Sequence, residues 1–458
     1  MTEAKTRLAV SALAIVDFVF LLGGNAVRYA TGGVGFVALA LVLLGLNLWL
    51  LLRERPTTLR WYRLPAPLTL FLALATVSIL WSAYPAESVL GVLAQLSTTL
   101  VAVTLAFVLT WAEFLRTLGT ALRYLIGGSL VFELIVSLWV RHPLLPWWQE
   151  VPEGKISKLL YWSRDLLFEG GPIQGLLGNS ALFGFLALLG LIVFGVQLRA
   201  GLVRPVPGWF WVGVAVLSLA LTRAATVTVA LLVVLVALGF ALWARRLTPA
   251  GRVPLYTTAA AVAAAGLVAV LFFRDALFGL LGKSGDMTGR LEIWHKVIEL
   301  AEQRPAFGWG WISYWAPWVE PFLGLDEKVG LPVMHAHNAW LDVWLQLGIV
   351  GLVLFAMLAG LTLWRVWFRA IDQPRRDAGP PLSFATSSLV PLLLVVALLV
   401  QSLTESRILI EGGWLLLTLL AMKSKTDYQI PSLEAEPRLA PWRDVPLTRE
   451  RATRSARG

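Results

Sequence analysis

Ala224-Ala-Thr-Val-Thr-Val-Ala-Leu-Leu-Val-Val-Leu-Val-Ala-Leu-Gly-Phe-Ala-Leu-Trp-Ala244 runs without a charge and is followed at once by Arg245 and Arg246. A helix needs about 20 apolar residues to cross a hydrocarbon core. This stretch is long enough, and its basic end reads as the cytoplasmic flank of a membrane span. The whole chain agrees: 58% of its 458 residues are hydrophobic and only 14% charged, where a soluble domain has roughly a quarter charged. There is no cysteine, which excludes thiol catalysis, disulfides and thiolate metal sites together.

Working outward, twelve segments read as spans: 8–27, 33–52, 65–83, 88–110, 118–140, 173–198, 209–222, 224–244, 255–273, 339–364, 384–403 and 411–422. The expected fold is an all-α polytopic membrane protein. The organisation divides into a bundle over 1–273 with an outer loop at 141–172, a large outward loop over 274–338, further spans over 339–422, and a basic, disordered tail over 423–458. The first segment carries Asp17 and lacks a small-residue cleavage site, so it reads as a retained span rather than a signal peptide. Basic residues gather on alternate loops, among them Arg53, Arg55, Arg60, Arg63, Arg116 and Arg123, then Arg199, Arg204, Arg245, Arg246 and Arg252. That pattern places both termini in the cytoplasm. The net charge of +10 therefore reads as membrane topology, not as a nucleic-acid footprint.

The two long outer loops hold most of the polar candidates. In the second, Arg290, Ile293, Trp294, Val297 and Ile298 recur at helical spacing, which predicts an amphipathic helix. Pro305 and the Gly308/Gly310 pair end it. Trp309, Trp311, Trp315 and Trp318 suit a segment at headgroup level. Loops this long are usually functional.

His335 and His337 stand two residues apart, just ahead of the tenth span, with Asn338 and Asp342 one turn apart behind them. An imidazole there is suited to taking a proton near neutral pH, with Asn338 or Asp342 fixing its tautomer. His-x-His also suits zinc, given a distant third ligand, and a plain polar cap is the third reading. His142 and His295 read as interfacial or exposed residues. Arg223 sits in a short turn between two spans; it either snorkels or lines a wet cavity. Arg290 and Arg164 lie in the outer loops, and guanidinium groups bind phosphate oxygens in a fork. Glu405 and Arg407 pair with each other or serve a site. Asp17 and Glu133 face the bundle interior on cost grounds.

Four ordered motifs then stand out: Arg290-Leu-Glu-Ile-Trp294, Arg304-Pro-Ala-Phe-Gly-Trp-Gly310, His335-Ala-His-Asn338-Ala-Trp-Leu341 and Gln346-Leu-Gly-Ile-Val-Gly351. In this order and placement they resemble the O-antigen ligase and polymerase superfamily. Trp81-Ser-Ala-Tyr84-Pro85, Gly178-Asn179, Leu221-Thr-Arg223-Ala and Ser402-Leu-Thr-Glu405 resemble its other features, with Thr222 where the family has serine.

The resemblance implies a GT-C-like bundle in the inner membrane. It implies a glycosyltransferase moving a glycan from an undecaprenyl-pyrophosphate carrier to an acceptor hydroxyl at the outer face, with inversion and without cofactor or catalytic metal. Carried over, His337 is the general base, with His335 and Asn338 beside it. Arg223, Arg290 and Arg164 hold the pyrophosphate, and Trp294, Asp342 and Glu405 support. The implied partners are that donor, a glycan, lipid or polymer acceptor, and membrane lipid. A polymerase joining carrier-linked units fits the same motifs. A transporter of sugar or lipid-linked glycan and a non-catalytic assembly protein are the competing classes.

Overall fold

A computed structural model describes residues 3–54, 63–149, 156–280, 286–328, 331–372 and 384–429. The expected tail lies outside the described residues from 430 onward. The regular structure of the described residues is helical apart from a two-stranded antiparallel pair, β1 (Glu327–Lys328) and β2 (Leu331–Pro332).

Each of the twelve expected spans coincides with a helix: α1 (Glu3–Leu22), α2 (Gly24–Glu54), α3 (Ala66–Val77), α4 (Pro85–Val108), α5 (Trp111–Ile135), α6 (Ser180–Arg199), α7 (Pro205–Thr222), α8 (Ala225–Ala244), α9 (Val253–Leu280), α11 (Ala339–Ile371), α12 (Leu389–Ser402) and α13 (Glu411–Gln429). The remaining helix, α10 (Asp286–Gln303), is the amphipathic one. By length and composition, seven of the helices are able to cross a membrane. Among those seven, α6 is the most enclosed and α2 the least, with 72% and 11% of their apolar windows buried. Helices α6, α12 and α13 lie inside the bundle, and α2 is presented outward.

Local chemistry sets the helix ends. Thr110 and Glu113 form a capping box at the start of α5, which satisfies orphan amides reciprocally. Pro85 and Pro205 occupy the first turns of α4 and α7, where a missing N–H costs nothing. The Asn179 side chain accepts from Ala181 and Leu182 N–H to open α6. Two buried carboxylates inside the bundle are paired, as low-dielectric surroundings require. Asn47 donates to both Asp17 oxygens at 3.0 Å. Glu133 accepts from the Gln174 and Gly175 amides at 2.9 and 2.7 Å and from the Ser163 hydroxyl at 2.9 Å. It thereby ties the 141–179 loop to α5.

Helix α10 buries Ile293, Val297 and Ala301, spaced four apart as its sequence predicts. Ile293 and Val297 join a small second core with Tyr84, Ile312, Trp315, Phe322, Ala336 and Leu345. Two of the four tryptophans expected at headgroup level are core residues instead: Trp311 and Trp315 are fully buried. Trp311 packs edge-on against Phe71 of α3 and Trp315 stacks on Phe322. Trp318 stays exposed.

The loop after α10 is fastened backbone to backbone. Helix α11 breaks at Gly348, whose φ is 66°, and the 304–310 turn lodges there. Ile349 N–H donates to Pro305 O at 2.8 Å, Trp309 N–H to Leu345 O at 3.0 Å and Gly310 N–H to Gln346 O at 2.9 Å. Tyr84 Oη donates to Gly310 O at 2.8 Å, which brings in the turn between α3 and α4. A Cβ on Gly348 would meet the Ala306 carbonyl at 2.2 Å, and one on Gly308 the Gln346 carbonyl carbon at 2.4 Å. Neither obstacle is a flexible side chain. Gly348→Ala is expected to lower the melting temperature of the purified protein by several degrees. The Gly348 φ of 66° with ψ of −167° is a backbone region essentially reserved for glycine, which costs another residue about 1–3 kcal/mol, before any clash. An unchanged melting curve would show that the junction is looser than its geometry.

Candidate active site

Asn338 starts the construction. Its side chain accepts from the Trp340 and Leu341 amides at 3.0 and 3.3 Å, so it is the N-cap of α11. Asp342, one turn on, accepts from the Ala336 amide at 3.1 Å and from the Ser406 hydroxyl. Trp294 Nε1 donates to Ala336 O at 2.9 Å. The segment 335–338 is therefore pinned from three sides: by α10, by α11 and by the turn between α12 and α13. Within it His337 adopts φ 49°, a left-handed conformation that costs energy in a non-glycine residue and often marks a functional position.

That backbone turn presents the imidazole to Glu405. His337 Nδ1 lies 3.2 Å from Glu405 Oε2, and Arg290 Nη2 lies 3.0 Å from Glu405 Oε1. The carboxylate accepts from both. A proton on Nδ1 leaves the lone pair of His337 Nε2 free, on a side chain 24% exposed. The structure thus corrects the sequence expectation on the tautomer: Glu405 orients His337, while Asn338 and Asp342 hold the backbone. It also separates Glu405 from Arg407. Arg407 Nη1 donates to Tyr314 Oη at 2.6 Å and pairs with Glu411, which also takes Arg28 of α2. Neither Arg28, Tyr314 nor Glu411 carried a motif signal; only contacts far apart in sequence reveal them.

His335 has a different role. The His337 backbone N–H donates to His335 Nδ1 at 3.1 Å, so Nδ1 is bare and the proton sits on Nε2. The two rings meet edge to face with centroids 4.1 Å apart. Burial, then the neighbouring His337, Arg407 and Arg290, hold the His335 pKa down to about 3 against the pull of Glu405. Burial works to raise the Glu405 pKa, but its bond to His337 and the surrounding cationic groups prevail, and it lies well below the ordinary carboxylate range. Tyr314 is pushed up to about 12, chiefly by burial, and stays a neutral donor and acceptor.

The His335 shift has a sign. Unfolded, it titrates near 6.5 and folded near 3, so between those values the unfolded chain binds more protons. Stability contributed by neutral His335 is complete above about pH 6.5 and is lost as pH falls toward 3. Protection factors of the amides across 331–337, corrected for the slowing of intrinsic exchange toward acid, are expected to fall steadily from about pH 7 to about pH 5. His335→Asn, whose carboxamide oxygen stands in for Nδ1, is expected to flatten that dependence. Exchange that is equally pH-dependent in both would assign the effect elsewhere.

Of the phosphate-binding candidates, only Arg290 meets the histidines. Arg223 is the left-handed C-cap of α7, with φ 47°, exposed and beside Gly170. No hydrogen-bond or ion-pair partner holds it among the described residues. Arg164 donates from Nε to Gln174 Oε1 at 3.0 Å. Among the described residues, no hydrogen bond or ion pair joins either of them to His337. The ligand atoms of His335, His337 and Glu405 lie within 4.8 Å of one another, close enough for one divalent ion. Both carboxylate oxygens are already engaged by His337 and Arg290, and His335 Nδ1 by an amide.

Residues 208–356 match the family model described as O-antigen ligase. That range takes in Arg223, Arg290, His335, His337, Asn338 and Asp342, but not Glu405 or Arg164. Exopolysaccharide production protein ExoQ of Rhizobium meliloti (strain 1021) is 30% identical over 121 residues, covering 24% of this chain and 27% of that protein. The match therefore spans about a quarter of the relative's length. Both findings bear out the resemblance read from the motifs over the part of the chain they cover, and the chain itself is an all-α polytopic membrane protein.

Proposed function

We propose that this chain transfers a glycan from a polyprenyl-pyrophosphate carrier to an acceptor hydroxyl at the outer face of the cytoplasmic membrane, with His337 as general base. The single observation that carries this is the 3.2 Å contact between His337 Nδ1 and Glu405, which fixes the tautomer whose Nε2 is free to accept a proton. In the step, Nε2 takes the acceptor's hydroxyl proton and the oxygen forms a bond to the anomeric carbon. The bond from that carbon to the pyrophosphate oxygen breaks, with inversion. The leaving group departs as lipid-bound pyrophosphate. Arg290 keeps donors free beyond its bond to Glu405, and Arg223 is exposed; fixed guanidinium groups neutralise such a charge without reorganising.

Whether the acceptor is itself a carrier-linked glycan separates polymerase from ligase. The relative's name speaks of exopolysaccharide production, which supports a polymer-building acceptor as the second reading. Membranes containing the chain and the natural carrier-linked glycan test both. New glycosidic bonds on carrier-linked products support the polymerase; bonds on a carrier-free acceptor support the ligase. Folded chain that forms neither, yet moves the glycan across the bilayer, overturns both in favour of transport.

A further inference from the structure

We propose that the groove where the 304–310 turn enters the break of α11 binds an anionic phospholipid of the surrounding membrane, with its phosphate on Arg304 and an acyl chain over Phe307 and Trp81. The groove is a cavity of about 490 Å³ lined by Trp81, Arg304, Pro305, Ala306, Phe307 and Gly308. Ligand cavities fall in the range of about 300–1,000 Å³. Its walls are apolar except at one edge. Trp81 and Phe307 meet at 5.7 Å with their rings steeply inclined, and Phe307 is exposed. Exposed Leu80, just past the end of α3, and exposed Ile349, beside the break in α11, flank it, so the apolar surface continues onto the neighbouring helices.

Arg304 supplies the charge. Its guanidinium lies 4.1 Å from the centre of the Trp309 ring and donates once, from Nη1 to Trp81 O at 3.5 Å. Among the described residues no carboxylate pairs with it. A guanidinium has five N–H donors, so most remain free, and a flat cation held on an indole is ready for phosphate oxygens. An apolar trough with one unneutralised cation at its rim matches the two-part chemistry of a phospholipid.

The occupant is not the reacting donor. Arg290 and Arg304 stand at opposite ends of α10, about 20 Å apart at 1.5 Å per residue, and the donor pyrophosphate belongs at Arg290. The groove is nonetheless tied to the site, because the same turn bonds to Leu345 and Gln346 of α11, below His337. A lipid seated here steadies the segment that carries the imidazole.

Delipidated full-length protein in detergent tests this. It is titrated with phosphatidylglycerol or phosphatidylcholine, and retained lipid is counted by native mass spectrometry. One arginine near a membrane surface attracts anionic lipid by about fivefold. Wild type is expected to retain phosphatidylglycerol about fivefold over phosphatidylcholine on this basis. Arg304→Gln brings the ratio near one, and Arg304→Lys keeps most of it. Phe307→Ala weakens both lipids alike. Equal preference in wild type and Arg304→Gln, with melting curves unchanged, overturns the proposal. So does inorganic phosphate displacing the lipid, since that would mean an anion site with no part for the chain.

Discussion

His337→Gln and His337→Asn leave a folded, membrane-inserted protein whose glycan transfer is slower by about 10²–10⁴, the usual contribution of a positioned general base. The two variants divide the interactions. The carboxamide of asparagine stands where Nδ1 was, so it keeps a donor for Glu405 at 3.2 Å but has no basic atom. Glutamine reaches further, toward the place of Nε2, and also lacks a base. Both bear the same left-handed backbone as the histidine, so added strain is not the cause of their loss. Transfer is measured with the natural carrier-linked donor in membranes, with insertion verified for each variant. Wild-type rates in both would remove the proton-transfer role from His337 and shift weight to transport or assembly.

Glu405→Gln is expected to fall nearly as far, although the side chain keeps its shape. Arg290 has donors only, and it holds Oε1 at 3.0 Å. In the variant it claims the lone carboxamide oxygen. The amide NH₂ then faces His337 Nδ1, which must accept, and the imidazole proton moves to Nε2, where the acceptor's proton has to go. The base is present but in the wrong tautomer. In the serine proteases, the same exchange at the aspartate that orients the histidine lowers kcat about 10⁴-fold; here about 10²–10⁴ is expected on that logic. The loss should lie in kcat, with KM for the donor little changed, and Glu405→Asp should restore part of it. A Glu405→Gln protein with normal kcat would mean that the pair is structural. A rise in KM alone would assign Glu405 to holding Arg290 for the donor.

The helices were legible because each expected span is a charge-poor run bounded by polar or basic residues, and α10 because its apolar residues keep helical spacing. His337 was legible because it lies beside the cap of a span within a motif. Its partner was not: Glu405 is 68 residues downstream, and nothing in Thr404-Glu405-Ser406 says which of Arg407, Arg290 or His337 it will meet. Trp311 and Trp315 were misread for a related reason. Indoles collect at membrane surfaces, but Phe71 and Phe322 reach them only through the fold. Asp342 and Asn338 stand close to the imidazole in sequence, and the backbone amides took them first.

Arg28 and Glu411 form an ion pair across 383 residues, and α13 closes against the first helices through Trp414 Nε1 on Thr99 and Lys423 Nζ on Leu109 O. Ribosomes add about 5–20 residues per second, so Arg28 waits some 20–80 s for its partner at that pace. His337 emerges before Glu405 as well, by about 3–14 s. During biogenesis the early helices are therefore held in the bilayer with a half-built centre, and the imidazole has no partner to set its proton. On the proposed mechanism, competence to transfer arrives in a single event, when the turn after α12 docks, and an interrupted nascent chain is expected to stay inert in the presence of the donor.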